Sequence, residues 1–159
     1  MKVNVLYESR TGNTKLLADL IRKNYEGSLV STPDEADLVF LGSWIDRGEM
    51  AASMRKAASA IHGKKVFLFG TCGAADPEYF QQLFLRAKSL LDESNHVVGH
   101  FYCQGKMPLR FRESYITMLE SRPDDPKVLD RIKNFDLALH HPNKQDLTAL
   151  QQVLDSLPL

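Results

Sequence analysis

Short, continuous apolar runs separated by amphipathic stretches recur along this chain. Val3 to Tyr7, Leu38 to Leu41, Val66 to Phe69 and Val97 to Tyr102 show little alternation of polar and apolar side chains. Strands covered on both faces read this way, which is the signature of a parallel sheet. Between the runs, Leu16, Leu17, Leu20 and Ile21 recur at helical spacing and predict a helix over about Thr14 to Lys23. Comparable patterns predict helices over Met50 to Ile61 and Pro77 to Leu91, with Pro77 in a first turn, where its missing N–H is no loss. Gly27 to Ser31 reads as a further short strand and Pro33 to Ala36 as a turn. Strand and helix alternating with right-handed crossovers predict an α/β, doubly wound sheet with helices on both faces. Beyond Pro108 the chain turns more polar. Helices are expected over Phe111 to Leu119, Lys127 to Leu139 and Gln145 to Leu157, a mostly helical C-terminal part packed on one domain spanning residues 1–159.

In such sheets ligands bind at the C-terminal strand ends. Four segments follow strands here: Glu8 to Thr14, Gly42 to Gly48, Gly70 to Asp76 and Cys103 to Pro108. The first, Glu8-Ser9-Arg10-Thr11-Gly12-Asn13-Thr14, lies where a strand gives way to a helix. A helix start offers free N–H groups and the positive end of a dipole, and Ser9, Thr11 and Thr14 add hydroxyl donors. The segment suits a phosphate cradle, and it suits equally a polar turn capped by hydroxyl side chains. As a cradle it lacks the second glycine and the Gly-Lys-Ser/Thr ending of a triphosphate loop, and two of the three glycines of a dinucleotide fingerprint. With no thiol in it, the loop fits holding a phosphate monoester rather than cleaving one.

Composition narrows the partners. Lys plus Arg and Asp plus Glu stand at 20 each, which argues against a general nucleic-acid binder. Cys72 and Cys103 form no metal or redox pair motif, pointing to a reducing cytoplasm, and no apolar run approaches a membrane span. His140-His141 lacks a carboxylate or thiol at ligand spacing, so charge complementarity at a helix C-terminus accounts for it better than a metal does.

The second post-strand segment, Gly42-Ser43-Trp44-Ile45-Asp46-Arg47-Gly48, contains the only Trp, placed either to cover a flat ligand or to anchor its own loop. The third, Gly70-Thr71-Cys72-Gly73-Ala74-Ala75-Asp76, offers small side chains and backbone groups to a planar heterocycle. Taken together, these segments resemble the three FMN-binding loops of the flavodoxin family. Cys103-Gln104-Gly105-Lys106 and His141-Pro142-Asn143 with Asp146-Leu147 are similar to a bacterial subgroup of it. The resemblance implies a three-layer sandwich around a five-stranded parallel sheet in the order 2-1-3-4-5, extended by C-terminal helices. It implies FMN as cofactor, with Ser9, Thr11, Asn13 and Thr14 at the phosphate and Gly12 and Arg10 adding N–H groups. Trp44, between Ser43 and Ile45, is then expected on one ring face, Thr71, Cys72 and Gly73 at the pyrimidine edge, and Gln104 at the rim.

Two departures from the family pattern matter. Pro77 stands where a Tyr often covers the other ring face, leaving that face open or to Tyr79. Ile45 stands where a Gly often permits a peptide flip, so weak stabilisation of the flavin semiquinone is expected unless Gly48 takes over. Flavodoxins are typically strongly acidic and this chain is neutral, with Arg10, Arg47 and Lys106 on the rim. The expected function is electron transfer through FMN between a separate reductase and an acceptor, in a bacterial cytoplasm. The alternatives are a small FMN-dependent reductase of quinone-like or other conjugated acceptors, and an interaction domain without flavin.

Overall fold

The computed structural model describes all 159 residues. Four strands, β1 (Val3–Glu8), β2 (Leu38–Asp46), β4 (Lys65–Cys72) and β5 (His96–Gln104), pair parallel in that spatial order. The strand expected over Gly27 to Ser31 is reduced to a single parallel bridge between Leu29 and Val3, preceded by a 3-10 turn at Glu26–Ser28. Leu29 stays 40% exposed and, of residues 27–31, Val30 alone packs against a core, so this edge lacks the apolar side chains that would hold a full strand. Counted as the second strand, Leu29 lies outside β1 and the order is the expected 2-1-3-4-5.

A second difference falls after Leu41. Strand β2 continues to Asp46 and turns back through Arg47 (φ 51°) and Gly48 (φ 82°) into β3 (Glu49–Met50), which pairs antiparallel with it. Two successive positive φ values make the turn that matches strand twist in a two-residue hairpin. Much of the expected loop is therefore strand. Gly42 sits inside β2 beside Phe69, where a Cβ would lie 2.2 Å from the Phe69 ring.

The continuous apolar runs divide between two cores. Val3, Val5, Leu38, Phe40, Phe67 and Phe69 pack against α1 (Asn13–Asn24) and α6 (Lys144–Asp155). Val39, Leu41, Val66 and Leu68 pack on the opposite face, against α2 (Ala52–Ala60) and α3 (Pro77–Ser89). Alternate side chains thus serve opposite layers, which is why the strands read as unbroken hydrophobic runs. A bulge in β5 inserts Val98, so that Val66 faces Val97 but Phe67 faces Gly99.

Of the C-terminal helices, α6 belongs to the core through Leu150 and Leu154. Helix α4 (Leu109–Ser121) buries no residue completely and packs chiefly on α5 (Pro126–Ala138), which buries Val128, Phe135 and Ala138. Arg112 on α4 grips Asp136 on α5, with Nε 2.8 Å from Oδ1. His141 does not complement a helix end: its Nδ1 lies 2.7 Å from Asp146 Oδ2, in the capping box that starts α6. No helix is long and apolar enough to cross a membrane.

Replacing Gly42 by Ala forces a methyl group into the Phe69 ring. The expected cost is about 1–3 kcal/mol, read as a lower urea midpoint at unchanged slope. An unchanged midpoint would mean that the ring has room to move aside.

Candidate functional site

Backbone register assembles the site before any side chain is considered. Glu8 faces Ser43, Ser43 faces Gly70, and Gly70 faces Tyr102, so the C-terminal ends of all four parallel strands stand in one row. One residue further on, Trp44 faces Thr71 and Thr71 faces Cys103. Each connecting loop leaves from this row.

The first loop is braced from within. Ser9 Oγ accepts from the N–H groups of Gly12 (3.1 Å) and Lys15 (3.2 Å), which keeps its own O–H available as a donor. Gly12 takes φ 90° immediately before α1, a conformation that side chains with a Cβ resist. The N–H groups of Thr11, Asn13 and Thr14 donate to no other protein atom. They stand at the positive end of a helix of 12 residues. Thr14 itself is fully buried, with its hydroxyl 2.8 Å from that of Thr71, tying the first loop to the third. Asn13 is also buried. Its Nδ2 donates to the Lys106 carbonyl at 2.9 Å, while its Oδ1 has no partner.

In the second loop Trp44 is held at its edge and covered on a face. Its Nε1–H donates to Glu8 Oε1 at 3.1 Å, and the Arg10 guanidinium lies 5.2 Å from the ring centroid. The hydrogen bonds from Ser53 and Trp44 favour the ionised form of Glu8 and hold its carboxyl below the usual range. Ser43 is fully buried; its Oγ accepts from Ala51 N–H at 2.9 Å and its O–H donates to the Trp44 carbonyl. It shapes the hairpin and does not face the opening. Arg86 donates to the Gly48 carbonyl at 3.1 Å and clamps the hairpin tip to α3.

The third loop is pinned through one carbonyl. Gly73 O accepts from Gln104 Nε2 and from Asn134 Nδ2, both at 2.9 Å, and Gln104 also donates to Asn134 Oδ1. Gln104 is therefore a buried brace and not a rim group. Burial pushes the Cys72 thiol up to about 11, so it is protonated at neutral pH and forms an apolar wall. Cys103 lies in the core among the side chains beneath α1, and burial raises its pKa as well.

Two cavities open along this row. The larger opening, about 430 Å³, runs from Arg10, Thr11 and Asn13 past Trp44 and Thr71 to Phe111. A neighbour of about 420 Å³ is closed by Tyr79, Tyr115, Arg131 and Asn134. Both share Ile45, Arg47, Cys72, Gly73 and Met107 as walls, so they form one trough with its ends about the first loop and about α4 and α5. Of the residues expected at the site, Arg10, Thr11, Asn13, Trp44, Ile45, Thr71, Cys72 and Gly73 line it. Ser9, Gly12, Ser43, Thr14 and Gln104 shape it from behind. Tyr79 reaches the second cavity, as its place after Pro77 allowed.

Tyr115, Arg131 and Asn134 were not anticipated from the sequence, and Met107 was expected only as part of the segment Cys103 to Pro108. For two of them a signal existed. Arg131, Asn134 and the buried Ala138 stand at i, i+3 and i+7, and so lie along one side of α5.

Comparison with known proteins gives the chain its relatives. The sequence profile of the flavodoxin domain matches residues 4–155. Flavodoxin-like domain-containing protein BilS of Clostridioides difficile (strain CD3) is 33% identical over 159 residues, covering 92% of this chain and 90% of that one. The protein of the same name from Clostridium symbiosum (strain WAL-14163) is 31% identical over 182 residues, covering 98% and 95%. Among solved structures, an apo NADH:FMN oxidoreductase (EMOB) superposes with a TM-score of 0.52 at 14% identity, over 91% of this chain and 97% of that one. The Trp repressor binding protein from Bacillus subtilis gives 0.50 at 13% identity, over 98% of both chains. At these identities the structural likeness speaks for the fold alone.

Thr14→Ala leaves the Thr71 hydroxyl buried and unpaired, at an expected cost of about 1–3 kcal/mol. For a chain of this size that is a fall of roughly 2–12 °C in Tm, most of which Thr14→Ser should restore. The Glu8 anchor is acid-sensitive. Because its folded-state pKa is depressed, its stabilisation is complete above the ordinary Glu value of about 4.3 and is lost as pH falls through the lower folded value. Trp44 emission should titrate in that window, and Glu8→Gln should abolish the titration; an identical curve in the variant would remove Glu8 as the anchor.

Proposed function

Since the chain belongs to the flavodoxin family, we propose that it binds FMN along the trough and carries electrons between a separate reductase and an acceptor. The observation that carries this reading is the unpaired trio of N–H groups on Thr11, Asn13 and Thr14, set at a helix start beside a cavity of about 430 Å³. That donor set fits a phosphate monoester, with the free O–H of Ser9 and the hydroxyl of Thr11 as further donors. The rest of the trough fits a flat ring system: Trp44 and Ile45 form one wall and Thr71, Cys72 and Gly73 another. FMN, when bound, supplies reversible one- and two-electron chemistry at its ring.

The chain's own work is to hold and to shield. Glu8 and Arg10 fix the indole of Trp44, and the doubly bonded Gly73 carbonyl keeps the third loop still. Such rigidity preserves the geometry on which electron transfer depends. Cys72, protonated at neutral pH, adds an apolar surface without competing as a nucleophile. Two free, buried thiols and bacterial relatives support a bacterial cytoplasmic setting.

A second reading, an FMN-dependent reductase of small conjugated acceptors, is favoured by the adjoining cavity with Tyr79 and Tyr115 in its walls. Steady NAD(P)H consumption by the loaded protein alone, with a quinone as acceptor, would select it.

Purified protein should be yellow and release FMN on denaturation. Gly12→Val should raise the FMN Kd at least about tenfold, about 1.4 kcal/mol, because Val resists positive φ. No atom lies within 4 Å of the added Cβ, so the cost to the fold is the strain of the left-handed backbone alone, about 1–2 kcal/mol or a fall of roughly 2–8 °C in Tm. A colourless protein that takes up no added FMN would overturn the reading.

A further inference from the structure

The charges around the trough are one-sided. Arg10, Arg47, Lys106, Arg110 and Arg131 line the two cavities, against Asp46 and Asp76 alone. The phosphate of FMN would be met by the first loop beside Arg10, so the charge left to face a partner is that of the ring end, where Arg47, Lys106, Arg110 and Arg131 stand against Asp46 and Asp76, a net +2. None of the seven takes part in an ion pair; the salt bridges of the structure, such as Lys15–Asp19 and Arg112–Asp136, lie elsewhere. Three of the cations instead rest on aromatic rings. Arg10 lies 5.2 Å from the Trp44 centroid, Arg110 5.3 Å from Phe111 and Arg131 6.0 Å from Tyr115. A ring steadies a guanidinium without neutralising it. Glu8, kept ionised by its bonds to Trp44 and Ser53, adds one negative charge at the Trp44 and Arg10 end, away from Arg110 and Arg131 on the two helices.

We propose that this mouth is a docking surface for the acidic face of a redox partner protein. A protein fits better than a small anion because the cations come from the first loop, the hairpin, the segment after β5, and both α4 and α5. No one small molecule needs a ring of charges of that breadth. Beside them Leu109 is 63% and Phe111 39% exposed, apolar contact area of the kind a protein interface buries next to a charged rim. The cations steer the encounter, and the apolar pair makes the close contact. The proposal rests on the electron-transfer reading above and adds the polarity of its partner.

The test uses the full chain loaded with FMN, reduced with dithionite and freed of excess. It is mixed with an acidic cytochrome b5 or a basic cytochrome c, each ferric haem taking one electron. The Debye length shrinks from about 30 Å at about 10 mM salt to less than about 8 Å at about 200 mM. Over that range the rate with cytochrome b5 should fall at least about tenfold, and the rate with cytochrome c should not fall. The double variant R110E/R131E, checked for FMN uptake, should flatten the cytochrome b5 dependence.

A salt-weakened reaction with cytochrome c, salt independence with both proteins, or an unaltered double variant overturns the proposal. So does a salt-weakened reaction with ferricyanide but not with cytochrome b5, which would assign the mouth to small anions. A chain that takes up no FMN ends the electron-transfer reading but not the measurement of polarity. Trp44, as the only Trp, then reports it through iodide and caesium quenching at low salt. Stronger quenching by iodide, lost in R110E/R131E, supports a cationic mouth, and equal quenching overturns it.

Discussion

Parallel backbone pairing is the constraint on which everything else in this protein depends. Because β1, β2, β4 and β5 run the same way and in fixed register, Glu8, Ser43, Gly70 and Tyr102 stand side by side, and every loop that follows opens on the same edge. The bulge at Val98 matters for the same reason. Were Val98 paired in a regular ladder, Cys103, not Gln104, would face Cys72, and the amide that reaches Gly73 would sit one position further along, pointing to the other face. A local irregularity in the fourth parallel strand therefore decides which side chain braces the third loop.

The same edge collects polar groups that a buried sheet cannot tolerate unpaired. Thr14 meets Thr71, Asn13 reaches the Lys106 carbonyl, and Gln104 and Asn134 share the Gly73 carbonyl. Each of these bonds joins segments far apart in sequence, so each fixes one loop relative to another. What is left unpaired is equally specific: the N–H groups at the start of α1 and the Oδ1 of Asn13. A frame braced in this way, with a few unpaired groups at its opening, is what the proposed FMN site requires.

Much of this was legible in the amino-acid sequence, and the limits have physical causes. The core strands announced themselves because both faces are covered, as Phe40 and Val39 serving opposite layers illustrate. The first loop was recognisable because a strand, a hydroxyl-rich turn and a helix start follow one another without interruption. Gly42 misled because a glycine signals a loop locally, whereas its purpose is to admit the Phe69 ring from the next strand. Leu29 misled in the opposite direction: its surroundings favour extended chain, but an edge with so little apolar cover sustains one bridge only. Ser43 and Gln104 lay on the expected segments, yet their partners, Ala51 and Asn134, are set by the hairpin and by α5, which no local pattern in β2 or β5 encodes.

The C-terminal helices show how a fold of this kind can acquire its own surface without disturbing its frame. Helix α6 contributes Leu150 and Leu154 to the core and is bound by the same packing demands as the strands. Helix α4 buries nothing completely and is held largely by α5, partly through Arg112 and Asp136. Its residues are therefore free to set charge and shape at the mouth of the trough, as Arg110 and Phe111 do, while α5 supplies Arg131 and Asn134 from the other side. The division has a consequence for substitution. Changes in β2 or β4 alter the frame and the site together, whereas changes on α4 alter what the site meets and leave its architecture in place.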